Sequence, residues 1–411
     1  MHQLETICEV APPVQSKKAA RLHILHVIGT LDPAWGGPVE GIRNLTTQAL
    51  KRGHNVEILC ADDPASAWLP SWNPKIHAVG PSHLKKFGFA AGLDRWLANN
   101  AGRFDAIVVN GIWMYFGYAV WKATRRIGTP YFLFIHGALD PWFKQKYPLK
   151  HAKKSVYWKM FEHKVLRDAE KTLFTTQEEL VLANNAFLPY KCRPEVTGYG
   201  IEPPPLADSF DKGRAIRAIT GAHPGLANRS FLLFLARIHE KKGIDLLLKA
   251  FAASKPALRG KALVIAGPAG DETIVPELKS LATSLGISDD VVWTGPLYGN
   301  AKWEALRAAE AYVLPSHQEN FGISVVEALA CGTPVLVSDK VNIWREIDAL
   351  NCGFVAPDDV DGTIRLLKSW AHLPEQGRSE MRLNAKFCFN EHFDITRTSD
   401  RFFSLLAEKR A

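Results

Sequence analysis

The chain lacks the features of a membrane-spanning, disulfide-built or metal-clustered protein. No apolar run approaches the roughly 20 residues needed to cross a bilayer. Its 411 residues include only six cysteines. Cys8, Cys60, Cys192, Cys331, Cys352 and Cys388 are scattered without CxxC spacing. That argues against a disulfide framework or a zinc ribbon and suits the reduced thiols of the cytoplasm. The first twenty residues, MHQLETICEVAPPVQSKKAA, lack the charged-then-apolar pattern of a signal peptide and read as a flexible tail. GxGxxG is missing, so no nicotinamide cofactor is indicated. The single DxD, Asp359-Val360-Asp361, lies in APDDVDGT, the context of a helix cap, and no metal site is expected there. Short-period repeats and low-complexity segments are also missing.

What is present is ordinary for an α/β protein: 47% hydrophobic and 22% charged residues. The length exceeds what one compact core usually serves, so two domains are expected. The net charge of +8 is unevenly shared. Residues 1–200 hold 25 Lys and Arg against 16 Asp and Glu, whereas residues 201–411 hold 25 against 26. The densest basic stretch, KQKYPLKHAKKSVYWKMFEHKVLR from Lys144 to Arg167, interleaves lysines with Tyr147, Tyr157, Trp158 and Phe161. A basic, aromatic helix of this kind can lie on an anionic membrane face. Nucleic acid is not expected, because no recognition motif accompanies the charge.

Short apolar strands alternate with stretches of helical spacing. RLHILHVIG (21–29) is followed by a glycine-rich loop and a helix over about 38–52. Further strands read at 54–61, 104–110, 130–135 and 171–176. The pattern restarts after three prolines, Pro203 to Pro205, with strands at 231–236, 262–267, 291–295, 311–315 and 334–339. The tail over about 378–408 reads as two helices. Such alternation predicts a mostly parallel sheet covered on both faces. The expected division is a tail over 1–20 and Rossmann-like domains over 21–200 and 201–390. A helix within 391–411 would then return to the first domain. Ligands of such sheets sit beyond the carboxyl ends of the strands, here in a cleft between two domains.

The chemistry-bearing residues fall just after strands. Gly36 and Gly37 precede Pro38, placing bare amides at a helix N-terminus, an anion site. Arg237 and Lys242 flank IHEK after the 231–236 strand, where two cations could neutralise a diphosphate and stabilise it as a leaving group. His136 ends the 130–135 strand, beside Gly137. Glu319 and Glu327 lie in PSHQENFGISVVEALACGTP, around a helix expected to start near Phe321. Eight helical residues span roughly 12 Å. That is wide for glycosidase carboxylates, about 5–9.5 Å apart, but suits two contacts along one extended ligand. A carboxylate accepts from both hydroxyls of a vicinal diol. Cations in the middle and carboxylates at both ends match a nucleotide sugar.

These residues resemble the retaining family-4 glycosyltransferases of GT-B fold, two doubly wound domains facing a cleft. Glu319-x7-Glu327 with Phe321-Gly322, then EALACGTPV, carries most of the likeness. LARIHEKKGID, GGP and HG add to it, and the likeness runs from about residue 21 onward. It implies that Arg237 and Lys242 hold the donor diphosphate. Glu319 would contact the transferred hexose with the amides of Asn320, Phe321, Gly322 and Ile323, and Glu327 would bind the ribose. Gly36 and Gly37 would approach the phosphates, His136 would sit near donor sugar and acceptor, and Leu297 near the base. The family's interdomain N-G-hydrophobic-D reads here Tyr199-Gly200-Ile201-Glu202, which gives residue 199 no role by analogy. HGALDPWF and DKVNIWREI resemble bacterial exopolysaccharide and lipopolysaccharide members, many of them mannosyltransferases.

The resulting expectation is metal-independent, retaining hexosyl transfer from GDP-mannose to a glycan or polyprenyl-diphosphate-linked acceptor. It needs no cofactor beyond that donor. The enzyme would act in surface polysaccharide synthesis, peripherally on the inner face of the cytoplasmic membrane. Alternatives are a UDP-sugar donor, a nucleotide-sugar 2-epimerase, or a binding protein without turnover.

Overall fold

A computed structural model describes residues 21–82, 87–184, 186–205, 211–220 and 229–408. The tail expected over 1–20 lies outside them. Two parallel sheets form the architecture. The first runs β1 (His23–Ile28), β2 (Asn55–Cys60), β3 (Lys75–Ala78), β4 (Ala106–Asn110), β5 (Tyr131–Phe134), β6 (Lys171–Phe174) and β7 (Pro194–Val196), in the order β3-β2-β1-β4-β5-β6-β7. The second runs β8 (Phe231–Leu235), β9 (Ala262–Ala266), β10 (Val291–Gly295), β11 (Ala311–Leu314), β12 (Val335–Ser338) and β13 (Gly353–Ala356), in the order β10-β9-β8-β11-β12-β13. β4 and β9 are buried at every position. Their continuous apolar sequences reflect helices on both faces, as parallel sheets require. Strands β3, β7 and β13 are edges of only three or four residues and were not expected from the sequence.

Both sheets reverse their winding once. In the first the switch lies between β1 and β4, in the second between β8 and β11. A crevice opens beyond the strand ends at such a point. Every candidate donor-site residue except Leu297 follows β1, β5, β8 or β11.

The chain crosses between the sheets twice, and the two crossings pair. Ile201 N–H donates to Phe393 O (3.0 Å) and Ile395 N–H to Ile201 O (3.1 Å). The last helix, Ile395–Ala407, then returns to the first sheet, where Phe402, Phe403 and Leu406 join a core with Leu22, Ile24, Val108 and Phe132. Asp394 caps it through Thr396 N–H (2.7 Å), and Arg52 pairs with Asp400 (2.7 Å). Asp359 caps the Val360–His372 helix through Gly362 N–H (2.6 Å).

The basic segment departs from expectation in one respect. It forms helices Pro148–Tyr157 and His163–Asp168 joined by a wider turn. Its aromatics turn inward, with Trp158 fully buried against Phe187. The exposed apolar residues are instead Leu149, Val156 and Met160, beside exposed Lys150, Lys153 and Lys159. Indole and phenyl rings bury more apolar area than aliphatic side chains, so they take the core positions.

Candidate active site

The two switch points face each other across a cavity of about 550 Å³. The loop after β1 supplies the first wall. Gly36 caps the helix Gly37–Lys51 without any side-chain hydrogen bond, and Pro38 stands in its first turn. The opposing wall is the helix Ile323–Ala330, capped by Gly322 and likewise free of side-chain caps. This helix starts two residues later than the expected Phe321, because Gly322 adopts a left-handed conformation (φ 76°) that ends the loop. Two helix N-termini with open amides therefore bound one cavity. Each carries partial positive charge, and together they favour an anion.

The cations follow β8. Arg237 is exposed, lines the cavity and makes no hydrogen bond or ion pair to any described residue. Lys242 is pinned by its neighbours: Gly243, at φ 65°, lies so close to Pro315 O that a Cβ there would come within 2.1 Å. The loops after β8 and β11 are thereby locked together. Lys242 Nζ donates to Glu319 Oε2. The Glu319 backbone is itself held, its N–H donating to Lys340 O (2.9 Å) and its carbonyl accepting from Asn342 N–H (3.0 Å).

Glu327, one turn inside the helix, meets Lys302 Nζ at 2.6 Å. Burial raises its pKa, an effect opposed by Lys302 and reinforced by Glu40 across the cleft. Both glutamates thus already hold a lysine, and both carboxylate residues line the cavity.

His136 follows β5 with positive φ (51°), stacked on Phe134 at 5.1 Å. Burial lowers its pKa to about 4, which keeps the imidazole neutral near pH 7. Its Nε2 has no hydrogen-bond partner among the described residues. Asn320 bridges the two sheets by donating to Thr175 Oγ1 (3.2 Å), and Phe321 packs on Tyr199 at 4.8 Å. Gly36, Gly37, His136, Arg237, Lys242, Glu319, Asn320, Phe321, Gly322, Ile323 and Glu327 all line this one cavity. Leu297 does not: it lines a separate cavity of about 320 Å³ with Trp293, Thr294 and Glu304.

Four residues escaped the sequence reading. Tyr199, without a role by family analogy, is buried at the cavity wall and donates to Gly37 O (2.9 Å). Lys302 reaches Glu327 from 25 positions away, which no local pattern reveals. Thr175 ties Asn320 to the first sheet. Glu179 accepts from Gly137 N–H (2.5 Å), Thr175 N–H (2.6 Å) and Thr175 Oγ1 (2.7 Å), fixing the loop that carries His136. A signal for it existed: Thr176-x-x-Glu179 has capping-box spacing. Thr176 Oγ1 does cap the helix through Glu179 N–H (3.0 Å), while the carboxylate turns to the loop instead.

The two-sheet architecture with this cleft is of the GT-B type. Residues 221–386 match the pattern "Glycosyl transferases group 1" and residues 36–190 match "Glycosyl transferase 4-like domain". The chain belongs to the group 1 glycosyl transferases. It is 31% identical over 333 residues to the D-inositol 3-phosphate glycosyltransferase of Actinosynnema mirum, covering 75% of this chain and 77% of that protein. The enzyme of the same name from Segniliparus rotundus is 29% identical over 371 residues, 84% of this chain and 76% of that one. Among solved structures, Anabaena HepE, determined with UDP and glucose, superposes with a TM-score of 0.73 at 17% identity, over 94% of this chain and all of that one. WaaG, a glycosyltransferase involved in lipopolysaccharide biosynthesis, superposes at 0.64 and 16% identity, over 93% and 99%. These two likenesses concern the fold.

Proposed function

We propose that the protein transfers a hexose from a nucleoside-diphosphate sugar to an acceptor hydroxyl with retention of anomeric configuration. The observation that carries this reading is one cavity lined by Arg237, Lys242, two open helix N-termini and the separate carboxylates Glu319 and Glu327. The donor diphosphate lies on the cations and amides, the hexose on Glu319 and the ribose on Glu327. The C1–O bond to phosphate breaks as the acceptor oxygen bonds C1 on the same face. The acceptor proton passes to a donor phosphate oxygen. The two cations and the helix ends stabilise the departing charge without a divalent metal. His136, neutral and with Nε2 unpaired among the described residues, can hydrogen-bond a substrate hydroxyl.

The donor we favour is GDP-mannose, on the resemblance of HGALDPWF and DKVNIWREI to polysaccharide mannosyltransferases. HepE, solved with UDP-glucose, supports a UDP-sugar as the second reading. The acceptor proposed is a glycan or polyprenyl-diphosphate-linked sugar of surface polysaccharide synthesis. The enzyme would be cytoplasmic and would meet this acceptor peripherally at an anionic inner membrane face. Lys242→Ala and Glu319→Ala should each lower transfer by at least about 100-fold, the scale of a lost transition-state charge contact. Near-normal transfer by both, with unchanged melting temperature, would sink the assignment. A screen of GDP-mannose, UDP-glucose and related donors separates the rivals. A transferase releases nucleoside diphosphate with acceptor present, an epimerase converts donor alone, and a binding protein turns over nothing.

A further inference from the structure

A second cavity lies in the first domain, at the foot of the basic helix. It measures about 60 Å³. A water needs about 10–15 Å³ on this measure, so the space suits a group of roughly five heavy atoms, a phosphate rather than a hexose. Lys144, Lys150, His151 and Lys154 line it, with Tyr147 and Phe187 as its aromatic wall. The ammonium groups do not fold away at random. Lys150 Nζ lies 4.5 Å over the Tyr147 ring and Lys154 Nζ 4.5 Å over the Trp113 ring, while His151 stacks on Phe187 at 4.3 Å.

One acid shares the cavity. Asp140 accepts from Trp142 N–H (2.8 Å) and from Gln318 Nε2 (3.1 Å). Three lysines against one carboxylate leave net positive charge. Asp140 also places the cavity: Gln318 is next in sequence to Glu319, so the cavity adjoins the transfer cleft on its first-domain side. Leu149 and Leu188, neighbours in sequence of the lining residues Lys150 and Phe187, are 82% and 75% exposed. An occupant with an anionic head and an apolar tail would have its head among the lysines and its tail over these two leucines.

We propose that this cavity binds the phosphate of an amphiphilic acceptor, an isoprenoid- or acyl-phosphate whose head sits among Lys144, Lys150, His151 and Lys154. The proposal deepens the transferase reading and rests on it for the word acceptor. Charged hydrogen bonds from flexible ammoniums give the affinity. The Asp140–Gln318 link then orients the carried sugar toward Glu319.

The test uses the full chain, farnesyl phosphate as probe, and calorimetric binding. Lys144→Gln/Lys150→Gln should weaken farnesyl phosphate at least tenfold and leave GDP and UDP unchanged, since both lysines are exposed and outside the cleft. Arg237→Ala should do the reverse. Equal farnesyl phosphate affinity in wild type and the double variant would overturn the site. Inorganic phosphate binding as tightly as farnesyl phosphate would overturn the amphiphilic ligand. Binding to phosphatidylglycerol vesicles that needs both lysines, with no farnesyl phosphate bound, would overturn it in favour of plain membrane contact. Failure of wild type to bind either nucleotide while farnesyl phosphate still binds sinks the donor reading and leaves the cavity assigned.

Discussion

The two glutamates differ in the lysine each one holds, Lys242 for Glu319 and Lys302 for Glu327. In the proposed donor pose Lys242 holds the diphosphate, so Glu319 would share its partner with the donor phosphates. Lys302 pairs with Glu327 and opposes, without cancelling, the upward pKa shift that burial gives its carboxylate. A buried charge is tolerated only when paired in this way. Glu327→Gln should therefore lower nucleotide affinity by roughly 10–100-fold, the worth of a charged hydrogen bond. kcat at saturating donor should stay within about threefold, because the ribose contact is the same in ground and transition states. Calorimetry with GDP or UDP checks the first, steady-state kinetics the second, and an unchanged Kd would contradict the ribose role. A buried acid outside the cleft behaves oppositely. Glu162 is held by burial at a pKa of about 8; among the described residues its Oε1 has no hydrogen-bond partner, and Trp113 N–H gives a long bond to Oε2 at 3.4 Å. The folded protein keeps a proton that the unfolded chain releases above pH 4.5. This group's contribution to stability is complete below that pH and is lost as pH rises through about 8. The melting temperature should fall between pH 6 and pH 8.5 by a few degrees more in wild type than in Glu162→Gln, on the order of 2–4 °C.

At the scale of elements, function resides in loops that rigid strands aim. The loop after β5 is the clearest case. Gly137 has φ 71°, and a Cβ there would come within 2.6 Å of the Asn320 side chain. Only glycine lets this loop touch the opposite domain while Glu179 grips its amide. Gly137→Ala should reduce kcat by at least about tenfold, since displacement of about 1 Å can cost that or more. GDP or UDP affinity should change far less, because Gly36, Arg237, Lys242 and Glu327 are elsewhere. A variant with wild-type kcat would show that the contact is dispensable. The same elements show what sequence could reveal. Strands buried on both faces announce themselves as apolar runs, and the residues that follow them were found. The start of the Ile323–Ala330 helix was misplaced because Gly322 acts as a left-handed cap, a backbone choice that composition does not express. Tyr199, Thr175 and Lys302 were missed because each acts on a partner far along the chain. Thr175 and Tyr199 meet Asn320 and Phe321 where the two domains close on one another, while Lys302 reaches Glu327 within the second domain, and periodicity encodes none of these contacts. Leu297 shows the converse: a position carried over by resemblance stands in a separate cavity.

At the scale of the whole molecule, the paired crossings at Ile201 and Phe393–Ile395 make a two-stranded connection, and the last helix fastens the second domain's chain to the first sheet. The charge asymmetry gains meaning on this frame. The half richer in basic residues is the half whose exposed helix sets Leu149, Val156 and Met160 among Lys150, Lys153 and Lys159. Aliphatic side chains on a lysine-rich helix face can enter the headgroup layer while the ammoniums meet anionic lipid. Each such lysine contributes about 1 kcal/mol at an anionic surface. The protein should therefore co-sediment with phosphatidylglycerol vesicles at about 0.1 M salt, where the Debye length is about 10 Å, and dissociate toward 1 M, where it is about 3 Å. Phosphatidylcholine vesicles should retain little. Lys153→Glu/Lys159→Glu reverses two charges on the outward face, away from both cavities. It should lower vesicle affinity at least tenfold while donor turnover in detergent-free solution stays unchanged. Equal retention on neutral and anionic vesicles, or binding indifferent to salt, would mean that this helix face is merely solvated.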